Sequence, residues 1–279
     1  MNYYCLIAGL PDIEIEDNKL TFSVAEFKEE VRPQLSANDA QLMDLFYMKF
    51  DNQNLLRYLK DKEAKFDERG NIGKDELEEC FHLINDEYEP KNKYFLSYFM
   101  DFVTEYRNAQ HTDVDVAADA AKWENRLSEL YYQWAMKCKN SFISRWFEYN
   151  LNLNNILAAY NSRKHGMNIE ALGDNEVSES IKTSNQRDFG LSGTIEDFES
   201  FQRLADEADL FEREKKIDLL KWQWLDEQTF FKYFSIERVF AYLVKLEIIE
   251  RWVALDPVEG EKLFRELIDS LKNNVVKEL

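Results

Sequence analysis

Phe147-Glu148-Tyr149-Asn150-Leu151-Asn152-Leu153-Asn154-Asn155-Ile156-Leu157, continued by Asn161-Ser162-Arg163-Lys164-His165-Gly166, is the stretch on which the reading of this chain turns. An aromatic and an apolar residue stand one helical turn apart. Two polar residues three apart follow, then a bulky apolar group. About a hundred residues earlier the same offsets hold Phe46, Phe50, Asp51, Asn54 and Leu55-Leu56, and a similar distance later Tyr242, Leu246, Glu247, Glu250 and Arg251-Trp252. A fixed internal period points to a duplicated unit. The columns are degenerate, so chance coincidence is its rival.

Outward from these segments the chain reads as helix nearly throughout. Among 279 residues only eight are glycine and four are proline, few for a sheet protein full of turns. With 45% hydrophobic and 14% aromatic residues a large core can be filled. Ser23 with Glu26 forms a capping-box signature, and Ser36 opens the next helix. Asp51–Asn54 and Asn150–Asn155 read as helix breaks, because Asp and Asn compete locally for backbone hydrogen bonds. Asp51 and Asn152 are then expected to cap the short helices that follow. Gly70 and Gly73 mark a loop before a helix from Asp75 to about Asn85, ended by Glu89-Pro90. Tyr94–Asn108 is amphipathic, and Asp113–Asp119 leads into one long helix from about Ala120 to Phe147. Gly166–Leu191 fits either a long loop or one short polar helix. Further helices are expected after Thr194–Asp197, over Leu210–Leu225 and Ile236–Leu255 (stopped by Asp256-Pro257), and over Glu259–Asn273.

Composition narrows the function classes. The net charge of −19, from 54 acidic and 35 basic residues, repels phosphate backbones and anionic lipid. Nucleic-acid binding and direct membrane insertion are therefore not expected, and a basic protein partner is favoured. No apolar run approaches the ~18 residues of a spanning helix, and the start lacks signal-peptide form. The expectation is a soluble, cytoplasmic protein. Cys5, Cys80 and Cys138, scattered and without CxxC spacing, read as buried reduced thiols. His82, His111 and His165 share no metal-ligand spacing, and the phosphate-binding and nucleophile motifs are absent, so no cofactor, metal or catalytic residue is assigned. Trp222 and Trp224, two apart, cannot share one helix face. Arg163 and Lys164 mark either a partner contact or the cations a helix C-terminus favours.

At these same residues the chain resembles the C (or d) subunit family of V/A-type rotary ATPases. The likeness rests on Tyr3-Tyr4, on Asp51-x-x-Asn54-Leu55, and on Asn152-x-x-Asn155-Ile156 with Arg163-Lys164-x-Gly166. It continues through Ala241-Tyr242-Leu243 to Arg251, with Gly260 beyond; Glu250 stands where the family has Asn, and Trp252 where it has Arg. The chain also resembles a bacterial family encoded among V-type ATPase genes, a divergent branch of the same group. The resemblance implies an all-α funnel of three pseudo-symmetric lobes, near residues 1–90, 91–195 and 196–279. It also implies a non-catalytic central-stalk role between the central-shaft subunits and the membrane rotor ring, peripheral to the membrane through that complex. A helical adaptor or scaffold unrelated to ATPases is the alternative. A helical hydrolase using scattered carboxylates is a third reading.

Overall fold

The computed structural model describes residues 2–17, 19–83, 98–111, 120–168, 170–195 and 197–255. Their regular structure is helical: among the described residues the sole β-type pairing is an isolated bridge between Ser192 and Ile195. In chain order the helices are α1 Tyr4–Gly9, α2 Val24–Val31, α3 Ala37–Lys60, α4 Lys74–Leu83, α5 Tyr98–His111, α6 Ala120–Ala135, α7 Ser141–His165, α8 Glu176–Thr183, α9 Phe198–Asp206, α10 Leu210–Thr229 and α11 Ile236–Ala254. No described helix is long and apolar enough to cross a membrane. The stop at Glu89-Pro90, the entry Asp113–Asp119, the end at Asp256-Pro257, Gly260 and the helix expected over Glu259–Asn273 lie outside the described residues.

Two compact units divide the chain, with one boundary between Leu35 and Ser36 and the other inside α10. One is Ser36–Ile217. The other joins Met1–Leu35 to Asp218–Leu279.

Several helix starts follow the side chains expected. Ser23 and Glu26 form the reciprocal capping box of α2, and Ser36 caps α3 through the Asp39 amide. The helix expected from Ala120 to Phe147 is instead two. It stops at Ala135, and Asn140 starts α7 by accepting from the Phe142 and Ile143 amides, both at 3.1 Å. Gly166–Leu191 contains one short helix, α8, capped by Asn175.

The expected breaks at Asp51–Asn54 and Asn150–Asn155 are not there. α3 runs unbroken for 24 residues and α7 for 25. Asp51 and Asn152 are therefore interior helix residues and start no helix at Leu55 or Ile156. The polar side chains in these stretches that bond to distant loops do not compete with their own helix, so the helices continue through them.

Aromatic packing fills the core of the larger unit. Tyr131 of α6 sets its ring against Phe147 of α7 and Tyr98 of α5, with centroids 5.5 and 6.0 Å away. Both hydroxyls are satisfied: Tyr131 donates to the Leu45 carbonyl at 2.9 Å, Tyr98 to Asn52 Oδ1 at 2.6 Å. Each ring thus buries a large apolar area while its polar end ties a second helix. Burial pushes the Tyr98 phenol well above its ordinary value. In the other unit Phe27 of α2 stacks on Tyr242 of α11 at 5.7 Å, and the Tyr242 hydroxyl donates to the Pro11 carbonyl at 2.9 Å.

Candidate functional site

The repeated motif residues build clasps between long helices and the loops beside them. Asn54, on α3, is fully paired with one residue 13 positions on: its Nδ2 donates to the Asp67 carbonyl at 2.9 Å, and its Oδ1 accepts the Asp67 amide at 2.7 Å. Asn155, on α7, does the same with Leu172, at 2.8 and 2.9 Å, across 17 positions. A primary amide matches a peptide unit donor for acceptor, so each pair is a short piece of sheet-like bonding made by a side chain. Asn54 and Asn155 are both buried, and an unpaired amide there is costly.

Asp51 and Asn152 hold the same loops nearer to the short helices. Asp51 Oδ1 accepts the Asn71 and Ile72 amides at 2.6 and 3.0 Å, and its Oδ2 accepts from Asn71 Nδ2 at 3.0 Å, just ahead of α4. Asn152 Oδ1 accepts from Asn175 Nδ2 at 2.7 Å, and Asn175 is itself the cap of α8. Gly70 belongs to the first clasp for a steric reason, since a Cβ there would lie 2.5 Å from Asp51 Oδ1. The second clasp is braced by α6, where Glu129 accepts the Gly173 amide at 3.1 Å and binds Arg126, which also pairs with Glu105 of α5.

In the third segment the polar residues differ and so do their partners. Glu250 Oε2 accepts the amide of Val24, the first residue of α2, at 2.6 Å. Glu247 is half-buried on α11. Arg251 and the indole Nε1 of Trp252 (2.7 Å) both donate to Asp218 Oδ2. Burial pushes the Asp218 carboxyl above its ordinary value, against the opposing pull of Arg251. Close by, Lys245 pairs with Asp226 at 2.5 Å and lies over the Trp222 ring at 4.4 Å; burial pushes its ammonium pKa down. Both positions that depart from the resembled pattern, Glu250 and Trp252, thus have bonding partners of their own in this chain.

Arg163 and Lys164 part company. Arg163 donates to the carbonyls of Ser184, Gln186 and Arg187 and lies 3.6 Å over the Phe189 ring, tying the end of α7 to the loop after α8. Lys164 is exposed, and Gly166 ends the helix in the left-handed conformation at φ 65°. Two of the thiols are less buried than expected: Cys5, on α1, is exposed, and Cys138 is partly buried with its thiol pKa pushed up by that burial. The side chain of Cys80 lies outside the described residues.

Among the described residues no group of three or more His, Cys, Asp and Glu is placed to hold a metal ion. A feature that sequence reasoning missed is the turn between α10 and α11. Phe230-Phe231-Lys232-Tyr233-Phe234 puts four aromatics in five residues at a helix junction, where Phe230, Phe231 and Tyr233 are exposed. That density between two helices was the available signal.

An all-helical protein whose long helices clasp neighbouring loops through buried Asn and Asp is the class these features define. Residues 1–275 match the family described as Protein of unknown function (DUF2764), and the chain belongs to that family. No curated protein and no solved structure matches it.

Proposed function

We propose that this protein is a non-catalytic central-stalk subunit of a V/A-type rotary ATPase, coupling the central shaft to the membrane rotor ring during ATP-driven ion transport or ATP synthesis. The observation that carries the reading is the position of the resembling residues. Asn54 and Asn155, which stand in the motif, make the same two-bond clasp in two places. Torque transfer requires a body that does not yield. Buried amide clasps and interlocked aromatic rings resist deformation because neither tolerates partial opening. The net charge of −19 suits a basic shaft surface, since complementary fields favour encounter and orientation.

A second reading, a helical adaptor outside any ATPase, is favoured by the exposed aromatic turn, which suits any partner with an apolar surface. Pull-down of the folded protein against shaft and ring subunits separates the two. Retention of both partners, with shaft binding weakening as salt rises, is the expected result. Retention of neither at low salt leaves the adaptor reading.

A further inference from the structure

The amino-terminal segment is held firmly at two ends and loosely between them. At the first end Tyr3 is buried, its amide donates to the Phe234 carbonyl at 2.7 Å, and Tyr4 stacks on the Phe234 ring at 3.9 Å. At the second, the capping box of Ser23 and Glu26 opens α2, which buries Val24, Phe27 and Val31. Among the described residues from 4 to 22 no side chain is buried. At Gly9, the end of α1, an added Cβ would meet nothing within 4 Å. Just beyond, Pro11 and Ile13 are half-buried while Asp12 and Glu14 are exposed, the alternation of an extended segment laid on a surface.

That surface is α11. Pro11, Ile13, Leu20 and Phe22 line a small cavity with Tyr242, Leu246 and Ile249, so apolar atoms on both sides forgo part of their contact. Among the described residues, the Tyr242 hydroxyl donating to the Pro11 carbonyl at 2.9 Å is the one hydrogen bond between this segment and α11. The first two motif segments are built differently. Phe46 and Phe147, at the offset of Tyr242, are buried, whereas Tyr242 is half-buried against the segment.

We propose that residues 9–17 and 19–22 are a strap that lifts from α11 while Tyr3, α2 and α11 stay in place, with the bond from Tyr242 to Pro11 as its latch. Lifting uncovers Tyr242, Leu246 and Ile249, the apolar side of the third motif segment. Segments with few buried apolar contacts open locally, at a free energy below that of global unfolding. The strap has no buried side chain, one latch and a void beneath it. Its opening therefore costs less than separating α2 from α11.

The test measures thiol labelling on α11 in the full chain. Ile249→Cys places a thiol under the strap, and Val244→Cys places one about 200° around the helix from Tyr242. Both positions are buried, at 1% and 3% exposure. Leu246→Cys replaces the first variant if Ile249→Cys does not fold, since Leu246 lines the same cavity. Labelling by iodoacetamide is followed residue by residue by mass spectrometry, which reads Cys5, Cys80 and Cys138 apart. The position under the strap is expected to label roughly tenfold or more faster than Val244→Cys. Adding Tyr242→Phe removes the latch and keeps the ring. It is expected to raise the rate under the strap about fivefold, the scale of one net hydrogen bond, and to leave the rate at Val244→Cys unchanged. Equal labelling on the two faces overturns the proposal, because both thiols then react only through unfolding of the whole unit. A Tyr242→Phe effect on both positions alike, or on neither, overturns it too.

Discussion

The side-chain amide of Asn155 bonds both the carbonyl and the amide of Leu172, 17 residues away, at 2.8 and 2.9 Å. Asn54 treats Asp67 in the same way. Truncating either Asn to Ala strands a donor and an acceptor where the clasp was part-buried. The expected loss is roughly 1–3 kcal/mol of unfolding free energy for each. Asn155→Asp is expected to destabilise as well, because a carboxylate facing the Leu172 carbonyl has no proton to donate. Urea unfolding reads all three, and a change no larger than the ~0.5 kcal/mol of an ordinary surface substitution contradicts the clasp.

Gly70 gives a steric version of the same test. An alanine Cβ would lie 2.5 Å from Asp51 Oδ1 and 3.1 Å from Asn54 Nδ2, two side chains already committed to the loop. Either the carboxylate leaves the Asn71 and Ile72 amides or the loop shifts, so Gly70→Ala is expected to cost about 1–3 kcal/mol. Gly9, with nothing within 4 Å of the corresponding position, is the control. Equal melting temperatures for the two variants would show that the close approach at Gly70 carries no energetic weight.

Two carboxyls are expected to respond to pH in opposite directions. Asp67 is held below its ordinary value by the hydrogen bonds from Arg69, with burial opposing. A lowered folded-state pKa means stability present above the ordinary value and lost as pH falls through the lowered one. Asp218 is pushed above its ordinary value by burial, with Arg251 opposing. Its contribution is present below the ordinary value and lost as pH rises through the raised one. Asp67→Asn is expected to flatten the acid limb of stability against pH, and Asp218→Asn the fall above it. Urea midpoints measured from strongly acidic to neutral pH decide this; an Asp218→Asn profile parallel to wild type contradicts the second assignment.

The helical class and the main helix starts were legible in the sequence because their causes are local. Ser23 with Glu26 and Ser36 with Asp39 act within one turn, and Gly166 needs only its own φ. What was misread is non-local. Asp51, Asn54, Asn152 and Asn155 look like helix breakers because such side chains ordinarily take hydrogen bonds from nearby backbone. Their actual partners lie 13 to 23 residues on, and no spacing rule within the helix records them. Phe230–Phe234 was passed over for another reason: aromatic residues in a helical protein read as core, and exposure is decided by packing.

Glu250 holds the amide of Val24 across 226 residues of chain, so α11 takes the short helix beside it from the amino-terminal segment. α2 buries Val24, Phe27 and Val31, and Leu246 and Ile249 of α11 line one small cavity with Ile13, Leu20 and Phe22. Glu250→Gln keeps an acceptor for Val24 but loses the charge at the start of α2, at an expected cost of about 0.3–1 kcal/mol. Glu250→Ala loses the acceptor too, at about 1–2 kcal/mol. Removing the segment altogether is the stronger experiment. A chain beginning at Ser36 leaves the apolar face of α11 uncovered, while the unit Ser36–Ile217 keeps its own core. Calorimetry is expected to show part of the unfolding enthalpy gone and a residual cooperative transition, and an added peptide of residues 2–35 is expected to restore the missing part. An unchanged unfolding profile in the shortened chain, or no restoration by the peptide, contradicts the assignment of the amino-terminal segment to α11.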